Sequence, residues 1–325
     1  MMKKERIDIW EAGEYSYPAS YGFVPNIRTY IHDDEEVRDA MLVVPGGGYC
    51  MVVPSEAEIV AKEFYDRGMN TFVLTYTTDI TMGVPLKKQP LMDISRAMRV
   101  LRADAKCLLV NPDRLFICGF SAGAHVCGSL CTHFADVKDD NEKYAGVNNR
   151  PTGAILSYPV ITTGEKTHIY SVWALLGQDA PKEEMEYFSL EKNVTPDTPP
   201  CFIWQTAGDG LVPVENSYMF AESLKAAGVP YAHYVFPNGD HGLSIASEDF
   251  FRGNHGEDYT FEQLNLTLPH IKDHTLINVS EERYKELNDQ FFGDNQYVAP
   301  PMTDLNPFPD VRMWPELADI WMKKL

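Results

Sequence analysis

Leu115-Phe116-Ile117-Cys118-Gly119-Phe120-Ser121-Ala122-Gly123-Ala124-His125 is the stretch that decides how the rest of the chain is read. An apolar run suited to a buried strand ends in Gly-Phe-Ser-Ala-Gly, and small residues then open a helix. A sharp strand-to-helix turn of this kind holds Ser121 out at the strand tip as a nucleophile. Glycines flank it because the backbone there is strained and neighbouring elements come too close for side chains. Five residues alone are a weak signal, so the surrounding chain has to carry the reading.

Upstream, Ala40-Met41-Leu42-Val43-Val44 is a continuous apolar run fit for a central parallel strand, and Pro45-Gly46-Gly47-Gly48-Tyr49 follows at once. Successive glycines leave their N–H groups unshielded and able to converge on a negative oxygen. Residues 55–68 have helical periodicity with a glycine stop, and 71–76 are β-branched and aromatic, which marks the next strand. From Pro90 to Leu108 apolar positions recur every three or four residues, a long amphipathic helix that stops before the turn Asn111-Pro112-Asp113. Residues 1–40 contain short extended pieces such as 27–31, ending at Asp33-Asp34-Glu35-Glu36, a hairpin signal. Downstream, 154–160, 201–206 and 231–236 read as strands and 215–227 as a helix. Strands alternating with helices of ten or more residues imply an α/β fold, a mostly parallel central sheet covered on both faces.

A serine hydroxyl needs a base within hydrogen-bond reach and a third group to orient that base. Both have candidates just past later strands. Ala207-Gly208-Asp209-Gly210-Leu211-Val212-Pro213 places Asp209 on a tight turn, and Pro237-Asn238-Gly239-Asp240-His241-Gly242 places His241 between turn-forming residues. The chain order Ser, Asp, His matches one known arrangement of such triads. Alone, Asp209 would be an ordinary turn aspartate and His241 a solvated loop histidine. Four features at the required strand ends, in the required order, reverse that judgement. Asp240 competes as the acid, but it adjoins His241 in sequence and is poorly placed to orient the ring. His125, four residues after Ser121, is expected to pack or cap, with substrate contact as the alternative. Tyr49, Trp173 and Leu211 are candidate substrate contacts.

The chain has 28 Lys plus Arg against 47 Asp plus Glu, a net charge of −19, which repels a phosphate backbone or an anionic membrane. Neither nucleic acid nor membrane is therefore expected as a partner. Six scattered cysteines lack zinc or disulfide spacing and read as reduced, mostly buried thiols. No apolar run follows the basic amino-terminal residues, so the expected location is cytoplasmic. Nothing in the spacing implies a metal or cofactor.

The segments Val44-Pro45-Gly46-Gly47-Gly48-Tyr49, Asn111-Pro112-Asp113-Arg114 leading into Gly119-Phe120-Ser121-Ala122-Gly123, Thr198-Pro199-Pro200, Asp209 with Val212-Pro213-Val214-Glu215-Asn216-Ser217, and His241-Gly242 resemble an α/β-hydrolase. The branch they resemble is that of bacterial acetyl xylan esterases and feruloyl-esterase-like proteins. The resemblance covers about residues 40–245, and Trp314 to Met322 is similar to the family's last helix. It implies Ser121 as nucleophile, His241 as base and Asp209 as orienting acid. The oxyanion would be held by N–H groups of Ala122 and of Gly47 or Gly48. Pro45 departs from the pattern, standing where many lipases and esterases carry a histidine.

A single α/β-hydrolase domain over 1–325 is expected, with 160–200 as a lid or substrate wall and 247–308 as an insertion before the last helix. For that insertion, site wall, homodimer contact and plain surface elaboration remain equally open. The implied activity is a serine carboxylester hydrolase that removes acetyl or similar small acyl groups from a carbohydrate. The alternatives are an amide or peptide hydrolase of the same fold and a non-catalytic relative used for binding. Members of the branch are sometimes labelled xylanases, but the sequence gives no independent support for glycosidic cleavage.

Overall fold

Alternation along the central strands explains the layering. In the strand Arg38–Val44, Ala40, Leu42 and Val44 enter one apolar cluster while Met41 and Val43 enter another on the opposite face. The strand Val110–Phe120 repeats this with Leu115 and Ile117 against Phe116, Cys118 and Phe120. A strand apolar on both faces must be covered on both, so helices sandwich the sheet. The computed structural model describes residues 2–293 and 304–325. Pro300-Pro301 and the part of the expected insertion around them lie outside these residues.

In chain order the strands are β1 (Met2–Lys3), β2 (Arg6–Asp8), β3 (Asn26–His32), β4 (Arg38–Val44), β5 (Asn70–Thr75), β6 (Val110–Phe120), β7 (Gly153–Ser157), β8 (Cys201–Thr206) and β9 (Tyr231–Phe236). They form one sheet in the order β1-β3-β5-β4-β6-β7-β8-β9, with β2 paired to β3. From β5 to β9 all pairings are parallel, whereas β3 runs antiparallel to β5. This is the α/β-hydrolase type of mostly parallel sheet flanked by helices.

The helices are α1 (Glu58–Asp66), α2 (Gln89–Ala103), α3 (Ala122–His133), α4 (Ile169–Leu176), α5 (Lys182–Tyr187), α6 (Glu215–Ala227), α7 (Glu248–Phe251), α8 (Glu262–Lys272), α9 (Glu281–Phe292) and α10 (Trp314–Met322). The buried side chains of α2 and α3 join one of the two main clusters, and those of α1 and α10 the other.

Two local readings need correction. The Asp33–Glu36 turn does not close a hairpin, because β5 lies between β3 and β4 and pairs with both. The turn instead carries an ion pair between Arg38 and Asp34. Asn111-Pro112-Asp113 sits as an irregularity within β6: Val110 opposes Arg38, and the next pair is Leu115 with Ala40. Proline cannot donate to the ladder, so the strand interrupts its pairing there.

The segment after His241 folds onto the body of the protein. Leu264 and Ile271 of α8 and Leu287 of α9 form a third buried cluster with Ile80, and Cys50 and Met51 pack against it. Those two residues directly follow the glycine loop. All six cysteines are free and four are buried. Among the described residues no helix is long and apolar enough to cross a membrane.

Candidate active site

Ser121 sits between β6 and α3 with φ 52° and ψ −119°, a left-handed conformation that costs a side-chain-bearing residue free energy and marks a strained turn. The turn closes tightly: a Cβ on Gly123 would collide with the backbone carbonyls of Val44 and Pro45, so no larger residue fits. The Ser121 residue is 7% exposed, leaving a narrow approach to its hydroxyl.

The three side chains expected to converge do so. Ser121 Oγ lies 2.8 Å from His241 Nε2, and His241 Nδ1 lies 2.7 Å from Asp209 Oδ2. A carboxylate only accepts, so the proton of the neutral ring sits on Nδ1 and Nε2 is free to accept from the serine. The Asp209 side chain is fully buried, and its Oδ1 accepts the N–H groups of Leu211 (2.9 Å) and Val212 (2.8 Å). Asp240 is occupied differently: its Oδ1 accepts the N–H groups of His241 (2.8 Å) and Gly210 (3.1 Å). These two backbone bonds hold its carboxyl below the usual range and tie the histidine turn to the acid turn.

The glycine loop lies directly against the nucleophile. A Cβ on Gly46 would stand 2.9 Å from Ser121 Cβ. Gly47 has φ 124°, and a Cβ there would strike the carbonyl of Met51, so the loop path requires glycine. The N–H groups of Gly47, Gly48 and Ala122 donate to no group among the described residues. Ala122 is also the first residue of α3, whose amino-terminal end carries positive partial charge. These three donors are therefore unspent beside the serine.

Glu56 and Tyr158 were not singled out in the sequence, and they join the two halves of the site. Glu56 is 4% exposed. Its Oε2 accepts the Gly46 N–H (2.7 Å) and its Oε1 the Tyr158 hydroxyl (2.6 Å). That hydroxyl accepts the Ser244 N–H at 3.0 Å, while the Tyr158 ring packs edge-on against His241, centroids 4.9 Å apart. One buried carboxyl thus bridges the glycine loop and the histidine loop. Burial raises the Glu56 pKa, and the two hydrogen bonds oppose that rise. With Tyr76, whose hydroxyl donates to the Pro45 carbonyl (2.9 Å), it supplies the loop support that the missing histidine at Pro45 leaves open. A sequence signal existed for Tyr158, since it directly follows β7, a central strand whose end was left without a role. A buried glutamate at the start of a helical pattern gives no such signal.

Tyr49 and His125 form a second support. The Phe188 carbonyl accepts from His125 Nε2 (2.8 Å), which leaves Nδ1 to accept the Tyr49 hydroxyl (2.7 Å). Burial pushes the His125 pKa down to about 4, so the ring is neutral at ordinary pH. His125 is 1% exposed and packs instead of facing solvent, and Tyr49 is buried beneath its loop as a strut rather than lining the opening. Trp173, on α4, is partly exposed, and Leu211 is half-exposed beside Asp209. His168, which heads α4, lies near the site: a Cβ on Gly48 would be 3.8 Å from its ring. Burial and then repulsion from His241 lower its pKa. Among the described residues no cluster of His, Cys, Asp and Glu is arranged to hold a metal ion.

The chain is similar to several known proteins. The BD-FAE family model matches residues 30–224. Endo-1,4-beta-xylanase B of Butyrivibrio fibrisolvens is 59% identical over 262 residues, 81% of this chain and 41% of that protein. An acetylxylan esterase of Xylanibacter ruminicola is 30% identical over 217 residues, 64% of this chain and 42% of that protein. The chain thus spans about two fifths of the length of these two curated relatives. An acetyl ester-xyloside bifunctional hydrolase from Caldicellulosiruptor lactoaceticus superposes with a TM-score of 0.70 at 35% identity, covering 81% of this chain and 97% of that one. A carboxylesterase from Lactobacillus plantarum shares the fold, with a TM-score of 0.68 at 20% identity over 100% of this chain and 97% of that one. With more than half of its length matched, the chain belongs to the BD-FAE family of α/β-hydrolase fold.

Proposed function

We propose that the protein is a serine carboxylester hydrolase that removes acetyl or similarly small acyl groups from a carbohydrate. The observation that carries this reading is the continuous hydrogen-bond line from Ser121 Oγ through His241 to the buried Asp209 carboxylate, beside three uncommitted N–H groups. Ser121 Oγ attacks the ester carbonyl as its proton passes to His241 Nε2. The carbonyl oxygen becomes an oxyanion, held by the N–H groups of Ala122 and of Gly47 or Gly48. The imidazolium formed is stabilised by Asp209, and it returns the proton to the departing sugar oxygen. Water, deprotonated by the same His241, then releases the acid from the acyl-enzyme.

Sugar as the alcohol half is supported by the relatives named for acetylxylan and xyloside chemistry. Glycosidic cleavage, named for another relative, needs two carboxyl groups free to act as acid and base. Here Asp209 is bound to His241, Glu56 is buried under the loop, and Asp240 is bonded to backbone. Six free thiols favour a reducing, cytoplasmic setting.

The test is turnover of p-nitrophenyl acetate and acetate release from acetylated xylo-oligosaccharides by the wild type and by Ser121→Ala. Both reactions are expected in the wild type, with a loss of roughly 10³-fold or more in the variant. Absence of ester turnover, or cleavage of an aminoacyl anilide in its place, would overturn the reading.

A further inference from the structure

Beyond the glycine loop lies an open groove of about 630 Å³, walled by the turn at 81–83, by α4 and by α9 with the residues leading into it. Its chemistry is specific. Tyr170 and Trp173 form an aromatic corner, ring centroids 5.4 Å apart and planes at 80°. Tyr170 is 56% exposed, a large aromatic ring left open to solvent at the edge of the groove. Around the corner stand three exposed side-chain amides, Gln178, Asn278 and Gln290. Each amide presents a donor and an acceptor side by side, the pattern that matches neighbouring hydroxyls. The groove's two charges cancel: Arg283 is paired with Glu286 at 2.8 Å. Flat aromatic faces, neutral amides and no net charge suit an uncharged polyhydroxylated ligand better than an anion or a cation.

The groove is anchored to the reacting centre. Helix α4 carries Tyr170 and Trp173 toward the groove, while Ser171, between them, lies 3.8 Å from the position a Cβ on Gly48 would take. Successive Cα atoms are about 3.8 Å apart, so the path through Ser171 Oγ puts the Cα of Tyr170 within roughly 12 Å of the Gly48 N–H. Arg283 fixes the opposite wall by donating to the Ile80 carbonyl at 2.8 Å. The segment after His241 thus shares this groove with α4.

We propose that this groove is a subsite for the glycan backbone, holding sugar residues that adjoin the acylated one. It rests on the carbohydrate-ester reading above and adds a requirement for chain length. The insertion after His241 then selects an oligomer over a single acylated sugar.

Two measurements test it, and the first is independent of catalysis. Calorimetric titration of wild-type protein with unacetylated xylohexaose is expected to show binding, weakened about tenfold in Trp173→Ala and in Gln290→Ala. Gln290 is exposed, so its variant carries the test should Trp173→Ala fold poorly. In the second, kcat/KM for acetylated xylo-oligosaccharides is expected to rise about tenfold from monomer to hexamer, and both variants to flatten that rise. No binding of xylohexaose, binding unchanged in both variants, or a wild-type kcat/KM independent of length would overturn the subsite. Turnover of p-nitrophenyl acetate reports separately on the esterase reading. Binding without any ester turnover would sink that reading while keeping the groove.

Discussion

Glu56 shows how much of the site depends on a residue that touches no reacting atom. Both of its oxygens accept, one from the Gly46 N–H and one from Tyr158. A glutamine of the same shape offers one acceptor and one donor, so either the Gly46 N–H or the Tyr158 hydroxyl loses its partner. In Glu56→Gln, kcat for p-nitrophenyl acetate is expected to fall about tenfold. Glu56→Ala leaves two buried donors unsatisfied and should cost about 2–4 kcal/mol of stability by denaturant unfolding. Unchanged kcat in Glu56→Gln with unchanged stability in Glu56→Ala would remove Glu56 from the account. Ser121, Asp209 and His241 were legible because each follows a recognisable strand in a glycine-rich turn. Glu56 was not, because a carboxyl's burial depends on which distant loops close over it.

Among elements, the hydrogen bonds of His125 connect α3, the glycine loop and the end of α5. Burial holds this histidine neutral, its pKa lowered from the ordinary 6.5 to about 4. A folded pKa below the unfolded one means that the unfolded chain binds the proton first as pH falls. The stability it contributes is therefore complete above about pH 6.5 and lost progressively toward pH 4, by about 3 kcal/mol in total. Thermal melts between pH 7 and pH 4.5 are expected to show a smaller acid loss in His125→Asn than in the wild type. Identical slopes would mean that the histidine is not the group titrating.

Element boundaries and pairings divided in legibility along the same line of local against distant. Apolar runs and helical periodicity placed β4 through β9 and their helices within a few residues. The β3–β4 turn misled because a charged turn between two strands looks the same whether or not a third strand, here β5, pairs between them. The role of the segment after His241 was open for the same reason: its contact with Ile80, Cys50 and Met51 spans some 200 residues of sequence and leaves no periodic trace.

On the scale of the whole molecule, the sheet brings four strand-end loops to one place, and the segment after His241 packs against Cys50 and Met51 beside the glycine loop. The central claim is that Ser121 alone carries the acyl group. Intact-mass spectrometry of the full chain, quenched during turnover of p-nitrophenyl acetate, tests this most directly when followed by peptide mapping. The account predicts a single acetyl adduct on the peptide containing Ser121, absent in Ser121→Ala. An adduct on another residue, or ester turnover retained in Ser121→Ala with no adduct on the wild type, would contradict it.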